Sequence, residues 1–441
     1  MFTKFIEYLD NFIEHFDRDG NEICDQTIYK EFKRLLEIMA IYPKLKPKRL
    51  VIINILNFSF INGLLLFMIF ISTVTAVCAG KEDFPTMAHS IVYVLVTILF
   101  LFCYNGMVFN RSSIAIMHTI FGQNVYDYME QNNDIPAAIK AKYVRMKKVI
   151  NQIVGVASVL LALFIVCVGP LLNNTDVTEI TVQHPENGIN YDLPIPLWLP
   201  FEASNGFAYF IAVAIITVTF TYVFLINSVV SALFYNVAMT MDCQLEILIK
   251  SINNIEERAI NMYKRNNNLS KLPKSYGLYE SLEFQKIIEI CMKQNIQHHQ
   301  QILRLRKAIT KISEYCVLVL YVVSGIIIAL TAYTATTVSN EPGTVLTFGC
   351  LTTLFILAIA GDCLMGQSFV NLNEKLRIEI YSTKWRLYSK STRQLIGIMQ
   401  QYTCRDFNIK VAFNVTLDLE FYGSLMNTTY SYLSILIAMN K

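Results

Sequence analysis

Polar and apolar positions divide the chain into long apolar runs joined by charged stretches. The runs are roughly 51–78, 88–109, 149–172, 204–236, 313–338, 344–370 and 411–439. About 20 apolar residues are enough for a helix to cross the hydrocarbon core, so each run predicts a membrane span with some tilt. The fourth is longer than a bilayer needs and is expected to continue past it as helix. The charged stretches keep a helical period of their own. Phe5, Tyr8, Leu9, Phe12, Ile13 and Phe16 form one stripe ahead of Pro43 and Pro47. That pattern predicts a short amphipathic helix on the membrane surface or against cytosolic helices. Leu245, Leu248, Ile249, Ile252 and Ile255 recur in the same way, as do Ile287, Ile288, Cys291, Ile302 and Leu305, with the polar stretch Tyr263–Tyr276 between them. Spans four and five are therefore expected to project helices into the cytosol. Such stripes need partners, either one another or a second subunit.

The predicted fold class is an all-α membrane protein with seven transmembrane helices and cytosolic helical extensions that form an anchor domain. Its parts are a cytosolic amino-terminal segment at 1–50, helices one to four at 51–236 forming a ligand-binding bundle, and cytosolic extensions at 237–312. Helices five and six follow at 313–370, a cytosolic anchor helix at 371–410, and a pore-lining helix seven at 411–441.

The seventh run is the most informative. Asn414, Thr416, Asp418 and Glu420 occupy its first turns, and Asn427, Thr428 and Thr429 its middle. Polar and charged groups inside a span are costly and usually face a bundle interior or a water-filled path. At helical spacing Met426, Thr429, Leu433, Leu436 and Asn440 share one face. A ring of such faces from several subunits would make a pore with a dewetting constriction. A helix packed inside a monomeric bundle explains the pattern equally well. Asp418 and Glu420 either attract cations at the pore mouth or pair with Lys410 or Arg405.

Composition narrows the choice. The chain is 54% hydrophobic and 16% charged, against about 25% charged in soluble domains, and its mean hydropathy is +0.41. A net charge of +3 gives no case for nucleic acid. The first forty residues carry many charges and no early apolar core, so no cleavable signal peptide is expected. Basic residues alternate between loops: Lys44, Lys46, Lys48 and Arg49 precede the first span, and 110–148, 237–312 and 371–410 are basic. The loop at 173–203 and the turn Ser339–Gly343 have no Lys or Arg. This predicts a cytosolic amino terminus and an extracellular carboxyl terminus. A G-protein-coupled receptor has the opposite orientation, and neither an Asp-Arg-Tyr after span three nor an Asn-Pro-x-x-Tyr in span seven is present.

Candidate ligand contacts lie in spans two to four: His89 and Tyr93, then Gly155 and Ser158, then Tyr209 and Phe210. Pockets for small apolar guests are mainly aromatic with a few orienting polar groups, although aromatics and small residues also simply pack helices. The loop at 173–203 holds Pro185, Pro194, Pro196, Pro200 and Trp198, and Asn173-Asn174-Thr175 is a glycosylation candidate if that loop faces outward. No metal-ligand spacing, phosphate loop or hydrolase elbow is present, so neither a metal, a cofactor nor an enzymatic activity is expected.

Several segments resemble the insect odorant receptor family. They are Gly361-Asp362-Cys363-Leu364-Met365-Gly366-Gln367, Ile380-Tyr381-Ser382 with Trp385, Thr429-Tyr430-Ser431-Tyr432-Leu433-Ser434-Ile435-Leu436, and Pro194–Phe201. The resemblance implies an odorant-gated, non-selective cation channel in the plasma membrane of olfactory neuron dendrites. It implies a heterotetramer of a tuning subunit with the odorant receptor coreceptor, embedded in membrane lipid and passing cations through one pore lined by the seventh helices. It places a volatile ligand between helices two, three, four and six. To the pocket residues it adds Val213, Leu346, Thr347 and Cys350, and it makes Leu433 the apolar gate. Leu436 stands where the related gustatory receptors and the coreceptor keep a glutamine, which favours a tuning subunit.

Overall fold

The computed structural model describes residues 39–41, 48–80, 83–110, 128, 134–165, 172, 188–191, 193–201, 206–268, 275–337, 342–404 and 416–439. The amino-terminal stripe from Phe5 to Phe16 and the sequon at Asn173 lie outside these residues. The helices are α1 (Lys48–Ala79), α2 (Phe84–Phe109), α3 (Asp134–Leu163), α4 (Gly206–Asn253), α5 (Ile255–Asn266), α6 (Ser275–Leu278), α7 (Leu282–Thr337), α8 (Pro342–Ser382), α9 (Lys390–Thr403) and α10 (Leu419–Met439). A short hairpin, β1 (Ile189–Asn190) and β2 (Leu197–Trp198), pairs Ile189 with Trp198 and Asn190 with Leu197. Within the described residues, α1, α2, α4, α7 and α8 each contain a stretch long and apolar enough to cross a membrane. The chain is a multi-pass membrane protein.

Two helices are far longer than a bilayer requires. At 1.5 Å per residue, α4 extends about 72 Å and α7 about 84 Å, against a hydrocarbon core of about 30 Å. Their lower halves, with α5, α9 and the end of α8, build the largest core cluster, in which Leu245, Leu248, Ile252, Ile288, Cys291, Ile302, Leu376 and Ile396 are buried. The stripes read from the sequence are thus filled largely from within the chain. Capping fixes the ends of this domain. Ser389 accepts from the Thr392 N–H at 3.2 Å to start α9, satisfying a backbone donor that a helix start leaves open. Lys384 pairs with Glu256 at 2.6 Å, tying the 3₁₀ turn at Trp385–Leu387 to α5.

Serine and threonine are frequent in the apolar helices, and the structure shows how they are tolerated. Thr75, Thr97, Thr219, Thr331 and Thr347 each donate to the carbonyl four residues back, so these hydroxyl protons are not left bare in a low-dielectric interior. Between helices, polar side chains meet in register. Asn105 on α2 donates to Asn62 on α1 at 2.8 Å. Along α3 and α4, Asn227 meets Ser158 and Asn236 meets Asn151, while Lys147 reaches Thr240 and Lys142 reaches Glu246.

Candidate functional site

Three regions carry features that packing alone does not require. The first is the end of the bundle where α1 turns into α2. Here Met68, Ile71, Val92, Tyr93, Ile216, Phe220, Ile327, Phe348 and Leu351 form a second core from five helices. The hairpin folds over this end and contributes Leu193, Ile195 and Leu197 to the same core. It is pinned at two points: the Trp198 N–H donates to Thr75 Oγ1 at 2.8 Å, and the Tyr191 hydroxyl to Asp83 at 2.6 Å. Gly188, with φ near +69°, permits the indole of Trp198 to lie against it; a Cβ there would meet the ring at 3.3 Å.

Within this core the His89 ring stacks on Phe348 at 4.1 Å between centroids, and Tyr93 meets Phe220 edge-on at 5.5 Å. His89 Nε2 is buried without a hydrogen-bond partner among the described residues. Of the pocket residues expected from the sequence, His89, Tyr93, Tyr209, Val213 and Thr347 come together around this core or are buried beside it. Ser158 is buried on α3 and accepts from Asn227, while Gly155 leaves open space, with nothing within 4 Å of a would-be Cβ. Phe210, Leu346 and Cys350 stand exposed.

The second region is α10 and its cradle. α10 touches its own chain mainly through α7 and α8, lying parallel to α7 with Phe421 beside Tyr321 at 4.9 Å between ring centroids. A Cβ on Gly325 would meet Leu425 at 3.4 Å and Thr429 at 3.5 Å. Below, a Cβ on Gly366 would fall 1.9 Å from the Leu417 carbonyl oxygen, and one on Gly361 would fall 2.8 Å from the Tyr235 hydroxyl. Gly366 is thus where the chain entering α10 presses directly against α8, and Gly361 is where Tyr235 of α4 does.

This packing bears on the expected pore face. Thr429 is only 5% exposed, and Met426 packs with Leu425 against the core that includes Tyr321 and Cys363. Leu425 and Thr429 seat against Gly325 of α7, while Leu433 and Leu436 further along the helix are half-buried. Helical rotation puts Glu420, Asn427, Ser431, Ser434 and Ala438 on the opposite side, and all are exposed. Tyr430 (71% exposed) and Ile437 (39%) flank one edge, and Ile435 (55%) the other. Asp418 is also explained: its carboxylate accepts from the Phe421 N–H at 2.9 Å and the Thr416 hydroxyl at 2.6 Å, capping α10. An Asp just ahead of an apolar run is an N-cap signal that sequence reasoning had passed over. Lys410, Arg405 and Asn440 lie outside the described residues.

The third region is a buried polar cluster at the other end. Arg258 is 0% exposed, yet its described acceptors are neutral: Ser251, Gln294 and, at 3.0 Å, Asn295. Its guanidinium lies over the ring of Tyr128 at 4.1 Å. The Tyr128 hydroxyl meets His298 Nδ1 at 2.8 Å, and His298 Nε2 meets Gln244 at 2.9 Å. Burial, with His299 and Arg258 nearby, pushes the His298 pKa down to about 3, so the ring is neutral near pH 7. Nothing in the sequence signalled that Tyr128, from the stretch between α2 and α3, would be held in this way. Among the described residues, no group of three or more His, Cys, Asp or Glu could hold a metal.

A bundle of long helices, with a capped apolar core at one end and a helical anchor at the other, is the architecture of a multi-pass membrane receptor. The profile of the 7tm Odorant receptor family matches residues 128–430, and the chain belongs to that family. The fold is also that of the insect olfactory receptor OR5 from Machilis hrabei. The structure of that receptor in complex with eugenol superimposes with a TM-score of 0.66 at 14% identity, covering 93% of this chain and 98% of the other. A second structure of the same receptor gives 0.68 at 13% identity, covering 92% and 97%. The search of curated proteins returned no match.

Proposed function

We propose that this chain is the tuning subunit of an odorant-gated, non-selective cation channel, with seven spans, a cytosolic amino terminus and an extracellular carboxyl terminus. In this reading α3 and α10 complete the seven crossings begun by α1, α2, α4, α7 and α8. The basic lower ends of the helices then lie in the cytosol, and the β1–β2 hairpin roofs the pocket from outside. The likeness to a receptor solved with eugenol supports a small volatile as the ligand.

The observation that carries the channel reading is the character of α10. It is held along one face by its own chain, and its opposite face is polar. Thr428, Ser431 and Ser434 each donate their hydroxyl proton to the carbonyl four residues back. Each oxygen then turns lone pairs, and no proton, outward. Four such faces around a symmetry axis offer partial negative charge to a passing cation, with Glu420 at the anchor end. Ile435, exposed at one edge of this face, supplies the apolar constriction that gates by dewetting. In this reading it takes the place of Leu433, which is half-buried. A volatile that binds the open state better than the closed one shifts the gate by that difference in affinity.

The test is whole-cell current in cells without G-protein second-messenger signalling, with the chain expressed alone and with the odorant receptor coreceptor. A fast, volatile-evoked cation current that requires the coreceptor establishes the reading. A response that appears only when G-protein signalling is restored makes the chain a metabotropic receptor. Current from the chain alone would mean that it builds its own pore.

A further inference from the structure

The core beneath the hairpin is apolar, and its threonine hydroxyls have carbonyl acceptors, but His89 Nε2 does not fit that pattern. It is buried, lacks a protein partner among the described residues, and belongs to a ring held flat against Phe348. Tyr93, one helical turn along α2, lies in the same core. A buried imidazole nitrogen left unpaired is costly, whereas a partner recovers most of that cost. A neutral imidazole gives a hydrogen bond from one nitrogen and accepts one at the other. Either tautomer at Nε2 is answered by a guest carrying an oxygen, and neither by a hydrocarbon.

We infer that His89 is the specificity-determining residue of the pocket and that the chain is tuned to oxygen-bearing volatiles, namely alcohols, phenols, esters or ketones, rather than to hydrocarbons of the same shape. The inference rests on the channel reading above. Phe348 fixes the plane of the ring and the hairpin covers the core, so the hydrogen bond of Nε2 is made to the guest. A site built around a polar group rejects the analogue lacking the matching atom more strongly than an apolar site rejects an added hydroxyl.

The experiment measures dose–response curves for the full chain with the coreceptor, using probe pairs of closely similar size and shape: linalool with myrcene, 4-allylphenol with 4-allyltoluene, and benzyl alcohol with ethylbenzene. The native chain is expected to respond to the oxygenated member of at least one pair at about tenfold lower concentration than to its partner. His89→Phe keeps the stack on Phe348 and removes the nitrogen. It should bring the two curves together, with surface density measured alongside. His89→Gln, which restores a donor and an acceptor, should recover part of the separation and guards against a folding defect in the first variant. Discrimination that survives in His89→Phe would overturn the inference and show that water alone satisfies the nitrogen. So would equal native responses within every pair. Silence of the native chain on every probe, with surface expression verified, overturns the channel reading itself.

Discussion

Replacing Gly366 with alanine tests how α10 is coupled to the rest of the chain. The added Cβ would sit 1.9 Å from the Leu417 carbonyl oxygen, 2.8 Å from its carbonyl carbon and 3.1 Å from its Cβ. Ordinary contact begins near 3.4 Å, so the segment entering α10 must retreat by about 1.5 Å or α8 must bend. Neither side can give by rotating a side chain, because the closest atoms are backbone. Overpacking of this kind costs about 1–3 kcal/mol, occasionally more, or roughly 5- to 150-fold in an equilibrium constant. Gly397→Ala on α9 is the matched control, with nothing within 4 Å of its Cβ; it also improves helix propensity by about 1 kcal/mol. Thermal stability in detergent and volatile-evoked current should fall for Gly366→Ala and hold or rise for Gly397→Ala. The reasoning fails if Gly366→Ala melts within a degree of the native chain and conducts normally.

Other expectations follow from the same packing. Serine at Ile435 should raise basal current with little loss of expression, whereas Leu433→Ser should chiefly lower expression; the reverse pattern in leak recordings would make Leu433 the gate. Arg258→Met removes the buried cation and leaves Ser251 and Gln294 without the donor it supplies, while Asn295 keeps the Ser251 hydroxyl, so it should destabilise the anchor by about 1–3 kcal/mol; the melting temperature in detergent reads the loss. His298 binds its proton far more weakly in the folded chain, at about 3, than an unfolded histidine at about 6.5. Between those values the unfolded state carries the extra proton, so stability falls as pH falls, by up to about 1.4 kcal/mol per pH unit for this group. Melting curves from pH 7 to pH 4 should show that slope, and His298→Phe should reduce it. Lys384→Ala should cost no more than about 1 kcal/mol, because the lysine is largely exposed and solvent screens the pair.

Periodicity made much of the fold legible. Apolar runs marked the crossing helices, and the stripes from Leu245 to Ile255 and from Ile287 to Leu305 marked helices that must pack on something. Such a stripe says that a face is covered; it does not say by what. The same limit applies to the expected pore face. Met426, Thr429, Leu433 and Leu436 do form a stripe, but the seat of Thr429 against Gly325 of α7 was not readable from it. Asp418 carried a local capping signal and was legible in principle. Arg258, Tyr128 and His298 were not, because residues so far apart in sequence meet only through the anchor, and a lone arginine in a basic stretch reads as solvated surface. His89 was singled out as a polar residue in an aromatic setting. Its stack on Phe348 required the α2–α8 contact.

The paired side chains along α3 and α4 have a mechanical consequence. Ser158 with Asn227, Asn151 with Asn236, Lys147 with Thr240 and Lys142 with Glu246 keep one register over the shared length of the two helices. Sliding one helix past the other by a single turn, about 5.4 Å, would uncouple every rung at once and strand polar groups in hydrocarbon. The two helices therefore behave as a keyed shaft: they can tilt or swing together but cannot shear. Any displacement at Ser158 is carried without slip to Glu246, near the far end of α4.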